Sequence, residues 1–242
     1  MIWNIYLIIL TYFLLGGIGF YLINRKKDPI IARKSYTKFI VYFFIVSGLF
    51  FSITIEPVVF RYLTVVIAAV GVVELNHLFR MSKYSQKRFF FLSLTIFVLL
   101  SAGFCYFGTL DKNLILFTFL VLSIFDAFSQ ITGQLWGKRK ILPRISPNKT
   151  LGGVVGGACV ALASAFLLRK LVNISPVSLL FLSVGIILFA FIGDLAASYY
   201  KRKYEVKNFN ELIPGHGGFL DRFDSLVAGG AWVALYSQLA GI

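Results

Sequence analysis

The sequence predicts an all-α membrane protein, a polytopic bundle of about eight transmembrane helices with both termini on the extracytoplasmic side. Composition is the first reason. Of the 242 residues, 58% are hydrophobic and only 14% are charged, whereas soluble domains carry roughly a quarter charged residues. The mean hydropathy of +0.83 agrees with this, and it excludes a disordered chain, a coiled coil and an ordinary soluble enzyme.

Apolar stretches of the length needed to cross a hydrocarbon core of about 30 Å are the second reason. Eight candidates cover residues 2–23, 39–55, 58–75, 89–107, 114–128, 151–168, 177–197 and 219–239. The first has no preceding basic residue and no small-residue cleavage site, so we expect an anchor rather than a cleaved signal peptide. Support for the third span is weaker because it contains the charged residues Arg61 and Glu74. Only Glu56 and Pro57 separate it from the second span, so the two could instead form one irregular hairpin.

The basic residues give the expected orientation. The chain has 24 Lys and Arg against 10 Asp and Glu, a formal net charge of +14. Twenty of the 24 lie in the loops or helix starts that follow spans one, three, five and seven, which places those loops in the cytoplasm. An excess of positive charge could also bind nucleic acid, anionic lipid headgroups or a phosphate substrate. We expect that nucleic acid is not a partner.

The two halves of the chain differ in their polar residues, because those that suggest a function lie in the C-terminal half. Residues 1–110 are predicted to be N-terminal transmembrane helices, and residues 111–242 a C-terminal transmembrane catalytic region. Cys105 and Cys159 lie in apolar runs and are interpreted as small apolar residues, not as a disulfide or a metal site. The only histidines are His77 and His216, which excludes a multi-histidine metal cage.

Four acidic residues lie near the predicted cytoplasmic ends of spans five, seven and eight. Because carboxylates inside a membrane are costly and usually functional, we expect Asp126, Asp194, Asp221 and Asp224 to converge on one surface. The alternative is that each acid pairs with a nearby Lys or Arg at the membrane interface.

One helical face in segment 193–202 supports the functional interpretation. In a helix, Asp194, Ser198 and Lys201 occupy positions i, i+4 and i+7 and share a face. An acid, a hydroxyl and a cation on an otherwise apolar helix need a polar partner. A metal bound to a phosphate would be such a partner.

Segment 214–224 contains the most specific pattern. Gly217 and Gly218 allow an anion to approach the backbone closely, and the helix that follows presents free N–H groups. Asp221 and Asp224, three residues apart, offer the hard oxygen ligands that Mg²⁺ prefers. The alternative is a glycine turn with an acidic N-terminal cap, which explains neither the histidine nor the paired acids. His216 by itself could be a turn residue or a donor to a phosphate.

A loop before the sixth span adds a weaker pattern. Ser146, Lys149 and Thr150 precede Gly152 and Gly153 at a predicted helix start, which suits a phosphate cradle. The order GxxxxGK[ST] of a P-loop is absent. A capping turn followed by a small-residue packing face explains the same residues equally well.

Together these motifs resemble the signature of the phosphatidate cytidylyltransferases, the CDP-diacylglycerol synthases. The resemblance covers about residues 120–230. It rests on Ser198-x-x-Lys201-Arg202-x4-Lys207-Asn208 and Pro214-x-His216-Gly217-Gly218-x-x-Asp221-Arg222-x-Asp224, with Gly193-Asp194-Leu195 and Ser146-Pro147-x-Lys149-Thr150 upstream. Three positions depart from the family: Asn208 replaces the usual Asp, Asn210 a small residue, and Gly152 a Glu.

The resemblance implies an enzyme that joins CTP to phosphatidic acid and releases CDP-diacylglycerol and pyrophosphate, with Mg²⁺ as cofactor. It implies that Asp194 and Asp221 hold the metal and that Lys201 and Asp224 complete the catalytic set. The residues expected to bind the substrates are Asp126, Ser146, Lys149, Thr150, Ser198, Arg202, Lys207, His216, Gly217, Gly218 and Arg222.

Three functions follow from these observations. The first is a membrane nucleotidyltransferase in a bacterial-type inner membrane, with CTP, a lipid phosphate and the bilayer as partners and a site that faces the cytoplasm. The second is a CTP-dependent lipid-alcohol kinase, which would release CDP. The third is a non-catalytic membrane protein, either a transporter or a protein that binds lipid phosphate. The acceptor lipid, the number of metal ions and the choice between a monomer and a homodimer stay open.

Overall fold

The computed structural model describes residues 2–25, 28–210 and 217–241, and these residues are almost entirely helical. The elements in chain order are α1 (Ile2–Asn24), α2 (Pro29–Thr54), α3 (Pro57–Met81), α4 (Lys87–Phe107), α5 (Lys112–Trp136), β1 (Lys140–Leu142), β2 (Ser146–Thr150), α6 (Leu151–Leu167), a 3-10 turn (Arg169–Leu171), α7 (Pro176–Lys203) and α8 (Leu220–Ala240). The helical architecture is confirmed. The short antiparallel hairpin of β1 and β2 was not predicted.

Capping residues and prolines determine where the helices begin. Helices α2, α3 and α7 all begin with a proline, whose missing N–H costs nothing in the first turn. The carboxylate of Asp28 accepts a hydrogen bond of 2.8 Å from the amide of Ile30 and so caps α2. Because α2 ends at Thr54 and α3 begins at Pro57, the second and third spans are two separate long helices.

Six of the described helices, α1 to α5 and α7, are long and apolar enough to cross a membrane. Helix α6 is shorter, with 17 residues, and α8 carries charged residues in its first turns. Several helices are longer than the predicted spans: α2 begins at Pro29 rather than at residue 39, and α5 ends at Trp136 rather than at residue 128. Hydropathy marks the most apolar part of a helix, and the ends of these two helices are less apolar than their centres.

Helix α5 forms the centre of the bundle, and every residue from 114 to 125 is buried. Its neighbour α6 packs against it through glycines: a β-carbon added at Gly157 would lie 2.8 Å from the carbonyl oxygen of Phe125. Helices α7 and α8 meet in the same way, since a β-carbon at Gly193 would lie 2.8 Å from the carbonyl oxygen of Asp224. The small residues that open the sixth span therefore do form a helix-packing face.

The β1–β2 hairpin connects α5 to α6 and is tied to its neighbours at both ends. Thr150, the last residue of β2, caps α6 by accepting a hydrogen bond of 3.1 Å from the amide of Gly153. The guanidinium of Arg202, in α7, donates to the carbonyl oxygen of Ile145 at 3.2 Å. These contacts bring the hairpin next to the end of α7.

Candidate active site

A cavity of about 510 Å³ lies where α5, β2, α7 and α8 meet. Apolar side chains of α1, α2 and α5 line one part of it, including Ile9, Phe13, Phe39 and Val46. Polar side chains from β2, α7, α8 and the last part of α5 line the rest. The cavity is therefore amphipathic, with a charged part that continues into an apolar cleft among the membrane helices.

The structure places most of the residues singled out by sequence at this cavity. Gly217 and Gly218 lie beside it, next to Asp221, and His216 lies outside the described residues. Twelve others line it directly: Asp126, Ser146, Lys149, Thr150, Asp194, Ser198, Lys201, Arg202, Lys207, Asp221, Arg222 and Asp224.

Asp194 of α7 contacts one residue of its predicted helical face, Ser198, and a cation from β2. Lys201 of that face pairs with Asp221 instead. Its Oδ2 atom lies 2.6 Å from the ammonium of Lys149, in β2, and its Oδ1 atom accepts a hydrogen bond of 3.4 Å from Ser198. The Lys149 ammonium also lies 4.6 Å from the ring centroid of Phe191. The side chains of Asp194 and Lys149 remain 35% and 20% exposed, so both are accessible to a molecule in the cavity.

Asp221 at the start of α8 is more deeply buried, with 6% of its side chain exposed. Its Oδ1 atom pairs with the ammonium of Lys201, and its Oδ2 atom accepts hydrogen bonds from the amides of Gly218 (2.7 Å) and Phe209 (3.1 Å). Both oxygens are thus engaged. The close approach needs glycine, since a β-carbon at Gly217, where φ is +86°, would lie 2.8 Å from Oδ2 of Asp221.

The two remaining acids complete a cluster of alternating charge. Asp126, on α5, interacts electrostatically with Asp194, Lys149 and Arg222. Asp224, one turn into α8, interacts with Asp194, Asp126 and Lys201. Four carboxylates from three helices therefore lie around one space together with their counter-ions. The four acids converge on one cavity, as predicted. Two of them, Asp194 and Asp221, also form ion pairs with lysines, as the alternative proposed.

Arg202 and Lys207 differ from the cluster in their exposure. Arg202 is exposed and donates to two backbone carbonyls, those of Ile145 and Val206. Lys207 is exposed at the rim of the cavity. Within the part of the chain that the structure describes, neither cation forms an ion pair with the four acids, in contrast to Lys149 and Lys201.

The carboxylate set fits Mg²⁺ by donor chemistry. Within residues 2–25, 28–210 and 217–241, no group of three or more Asp, Glu, His or Cys side chains is arranged to hold a metal ion by itself. Mg²⁺ does not require such a cage, because one or two carboxylates together with substrate phosphates and water commonly bind it. Asp194 and Asp221 line the same cavity. Asp194 is the accessible one, with 35% of its side chain exposed, whereas an ion held by Asp221 would have to displace the ammonium of Lys201.

Sequence reasoning missed several polar residues at or near the site. Asn148 lines the cavity, as do Lys38 and Tyr42 from α2, which lies in the N-terminal half of the chain. Asn208, which the resemblance singled out only as a departure from the family, lines it too. Glu74, on α3, accepts hydrogen bonds from the start of α8. Glu74 is visible in the sequence as a carboxylate inside an apolar span, a feature that often marks a functional residue. In the sequence analysis it counts only as evidence against that span.

The chain is similar to known proteins of one family. The profile of the family described as "Cytidylyltransferase family" matches residues 33–240. The phosphatidate cytidylyltransferase of Staphylococcus saprophyticus is 40% identical over 153 residues, 59% of this chain and 58% of the relative. Those of Haemophilus influenzae and Brucella abortus are 40% and 41% identical over 48% and 52% of this chain. The matched segments span 42% and 47% of these two relatives.

Proposed function

This chain belongs to the cytidylyltransferase family, and we propose that it joins CTP to a lipid phosphate. The expected acceptor is phosphatidic acid, and the products are then CDP-diacylglycerol and pyrophosphate. The observation that carries the proposal is the amphipathic cavity. Its charged part suits a triphosphate and a lipid phosphate, and its apolar part among α1, α2 and α5 suits acyl chains.

In this reaction an oxygen of the lipid phosphate attacks the α-phosphorus of CTP, and pyrophosphate leaves. No covalent enzyme intermediate is required, so the protein acts by positioning and by neutralising charge. Lys149, Lys201 and Arg222 lie among the acids, where they would bind phosphate oxygens. Arg202 and Lys207 at the rim would attract the nucleotide.

Mg²⁺ is the proposed cofactor, and Asp194 and Asp221 are the residues that would hold it, with Asp224 and Asp126 close by. When bound, the ion would reduce the charge repulsion between the two phosphate-bearing substrates. Ser146, Thr150, Ser198, His216 and the glycine pair Gly217–Gly218 are the remaining substrate-binding residues of the proposal. Hydroxyl and backbone N–H groups of this kind orient phosphates without adding charge.

The test is product identification with the purified chain, Mg²⁺, α-labelled CTP and a panel of lipid phosphates and lipid alcohols. We expect a labelled CDP-lipid and an equal amount of pyrophosphate, with the highest turnover on phosphatidic acid. Release of CDP with transfer of the γ-phosphate to a lipid alcohol would instead establish the kinase. Retained nucleotide binding without turnover on any lipid would establish a non-catalytic protein.

The proposal includes a topology. All eight helices cross the inner membrane of a bacterium, both termini are extracytoplasmic, and the cavity opens to the cytoplasm, where CTP is found. The bias of the basic residues supports this orientation. The apolar faces of α1 to α4 are available to lipid or to a second copy of the chain, so a homodimer remains a prediction.

Single cysteines test the orientation. In a background with Cys105→Ala and Cys159→Ala, Arg144→Cys on the hairpin should resist a membrane-impermeant maleimide added to intact cells. Lys112→Cys at the start of α5 should react, because the proposal places it on the opposite side of the membrane. Both positions are exposed in the structure, so a difference in labelling reports the side and not burial. The reverse labelling pattern would invert the topology and place the cavity outside the cytoplasm.

A further inference from the structure

Glu74 is a buried carboxylate in the middle of an apolar helix, far in sequence from the site motifs. It is 2% exposed on α3. Its Oε1 atom accepts a hydrogen bond of 2.8 Å from the amide of Phe219, and its Oε2 atom accepts one of 2.7 Å from the amide of Leu220. The side-chain amide of Asn210 also donates to Oε1. One carboxylate therefore receives three donors, two of them from Phe219, which immediately precedes α8, and Leu220, its first residue.

The position of Glu74 is favourable only because of these contacts. The first amides of a helix have no partner within the helix, and the helix dipole places partial positive charge there. A carboxylate at this point satisfies the amides and is itself stabilised by them. Without them, a buried carboxylate inside a membrane bundle would be strongly destabilising.

Glu74 and Asp221 hold the same two pieces of chain together. Asp221 accepts hydrogen bonds from the amides of Phe209 and Gly218, while Glu74 binds the adjacent Asn210 and Phe219. The fit is close, since a β-carbon at Gly218 would lie 2.8 Å from Oε1 of Glu74. A displacement of either carboxylate thus moves the other through a shared backbone.

We propose that Glu74 is a positioning residue, which fixes the start of α8 and, through it, the carboxylate of Asp221 that faces Lys201 in the cavity. Asn210, one of the three departures from the family pattern, is its side-chain partner. The expected effect of Glu74 on turnover rests on the proposed function. The anchoring of α8 by Glu74 does not. The N-terminal helices thus contribute to the site by supporting the helix that carries it.

Glu74→Gln tests the proposal, because glutamine keeps the shape but brings an NH₂ group against backbone donors. We expect kcat to fall about tenfold to a hundredfold, as for a small misplacement of reacting groups. The KM for CTP should change by no more than about threefold, since Lys149 and Arg202 are held elsewhere. Hydrogen exchange of the amides in 217–224 should accelerate at least about tenfold while α5 is unaffected.

Glu56→Gln is the matched control, since Glu56 is exposed at the start of the same helix and makes no capping hydrogen bond. It should leave both measurements at the wild-type value. Asn210→Ala should accelerate exchange in 217–224 by a smaller factor, and it should add nothing in the Glu74→Gln background.

Wild-type exchange and kcat in Glu74→Gln, or an equal loss in Glu56→Gln, would overturn the proposal. Should Glu74→Gln fail to fold, Asn210→Ala decides: exchange in 217–224 that equals the wild type would overturn the anchoring, and faster exchange would support it. If the wild-type chain does not turn over CTP, the proposed function fails, while the exchange measurement still tests Glu74.

Discussion

Asp221→Asn is expected to lower the formation of CDP-lipid at least about a thousandfold, the largest loss for any single substitution in this chain. Both oxygens of Asp221 are in use, one by Lys201 and the other by the amides of Gly218 and Phe209. Asparagine has one acceptor, so its NH₂ group must face either the Lys201 ammonium or the backbone donors. The substitution also removes a proposed Mg²⁺ ligand.

The same substitution is expected to destabilise the fold. Asp221 and Lys201 are only 6% and 10% exposed, and breaking a buried pair by removing one charge costs about 3–5 kcal/mol. For a chain of this size that corresponds to a fall of about 6–20 °C in the unfolding temperature measured in detergent. Turnover and unfolding temperature should therefore be measured on the same preparation.

Asp111→Asn is the matched control. Asp111 caps α5 by accepting a hydrogen bond of 2.8 Å from the amide of Asn113, and it is exposed and does not line the cavity. Asparagine caps helices as well as aspartate, so neither turnover nor stability should change measurably. Near-normal turnover in Asp221→Asn would end the assignment of Asp221 to the metal.

The helices were predictable because membrane crossing depends on a local property, the hydropathy of about 20 consecutive residues. Their ends were less predictable. Segment 129–136 continues α5 although it is less apolar, and the hairpin depends on the pairing of Lys140 with Thr150 across a turn. A strand that contains Pro147 and consists mostly of polar residues has no hydrophobic alternation that would reveal it.

The convergence of the four acids was predictable in outline, because the ends of helices on one side of a membrane lie at a common depth. The individual contacts were not. Glu74 binds an amide 145 positions further along the chain, and no spacing rule links α3 to the start of α8. Lys38 and Tyr42 reach the cavity for the same reason, since the packing of α2 beside α5 brings them there. Sequence alone identified polar residues that line the cavity but not those that support them.

Asp194→Asn is expected to separate catalysis from stability. We expect turnover to fall at least about a hundredfold, because the substitution removes a carboxylate that faces the cavity and is a proposed Mg²⁺ ligand. Asp194 is 35% exposed, and its partner Lys149 keeps contact with the ring of Phe191. A partly exposed pair contributes at most about 1 kcal/mol, so the unfolding temperature should stay within about 4 °C of the wild type.

The result also decides between a metal ligand and an interfacial ion pair. If Asp194 serves only to pair with Lys149, then Asp194→Asn and Lys149→Met should have equal, small effects, and combining them should cost nothing further. If Asp194 holds Mg²⁺, its substitution should abolish turnover at every accessible Mg²⁺ concentration or greatly raise the concentration required. Lys149→Met should instead raise the KM for CTP, because a cation that neutralises phosphate oxygens contributes to nucleotide binding. Equal effects in the two single variants would contradict the metal assignment while leaving the cavity and its occupants as proposed.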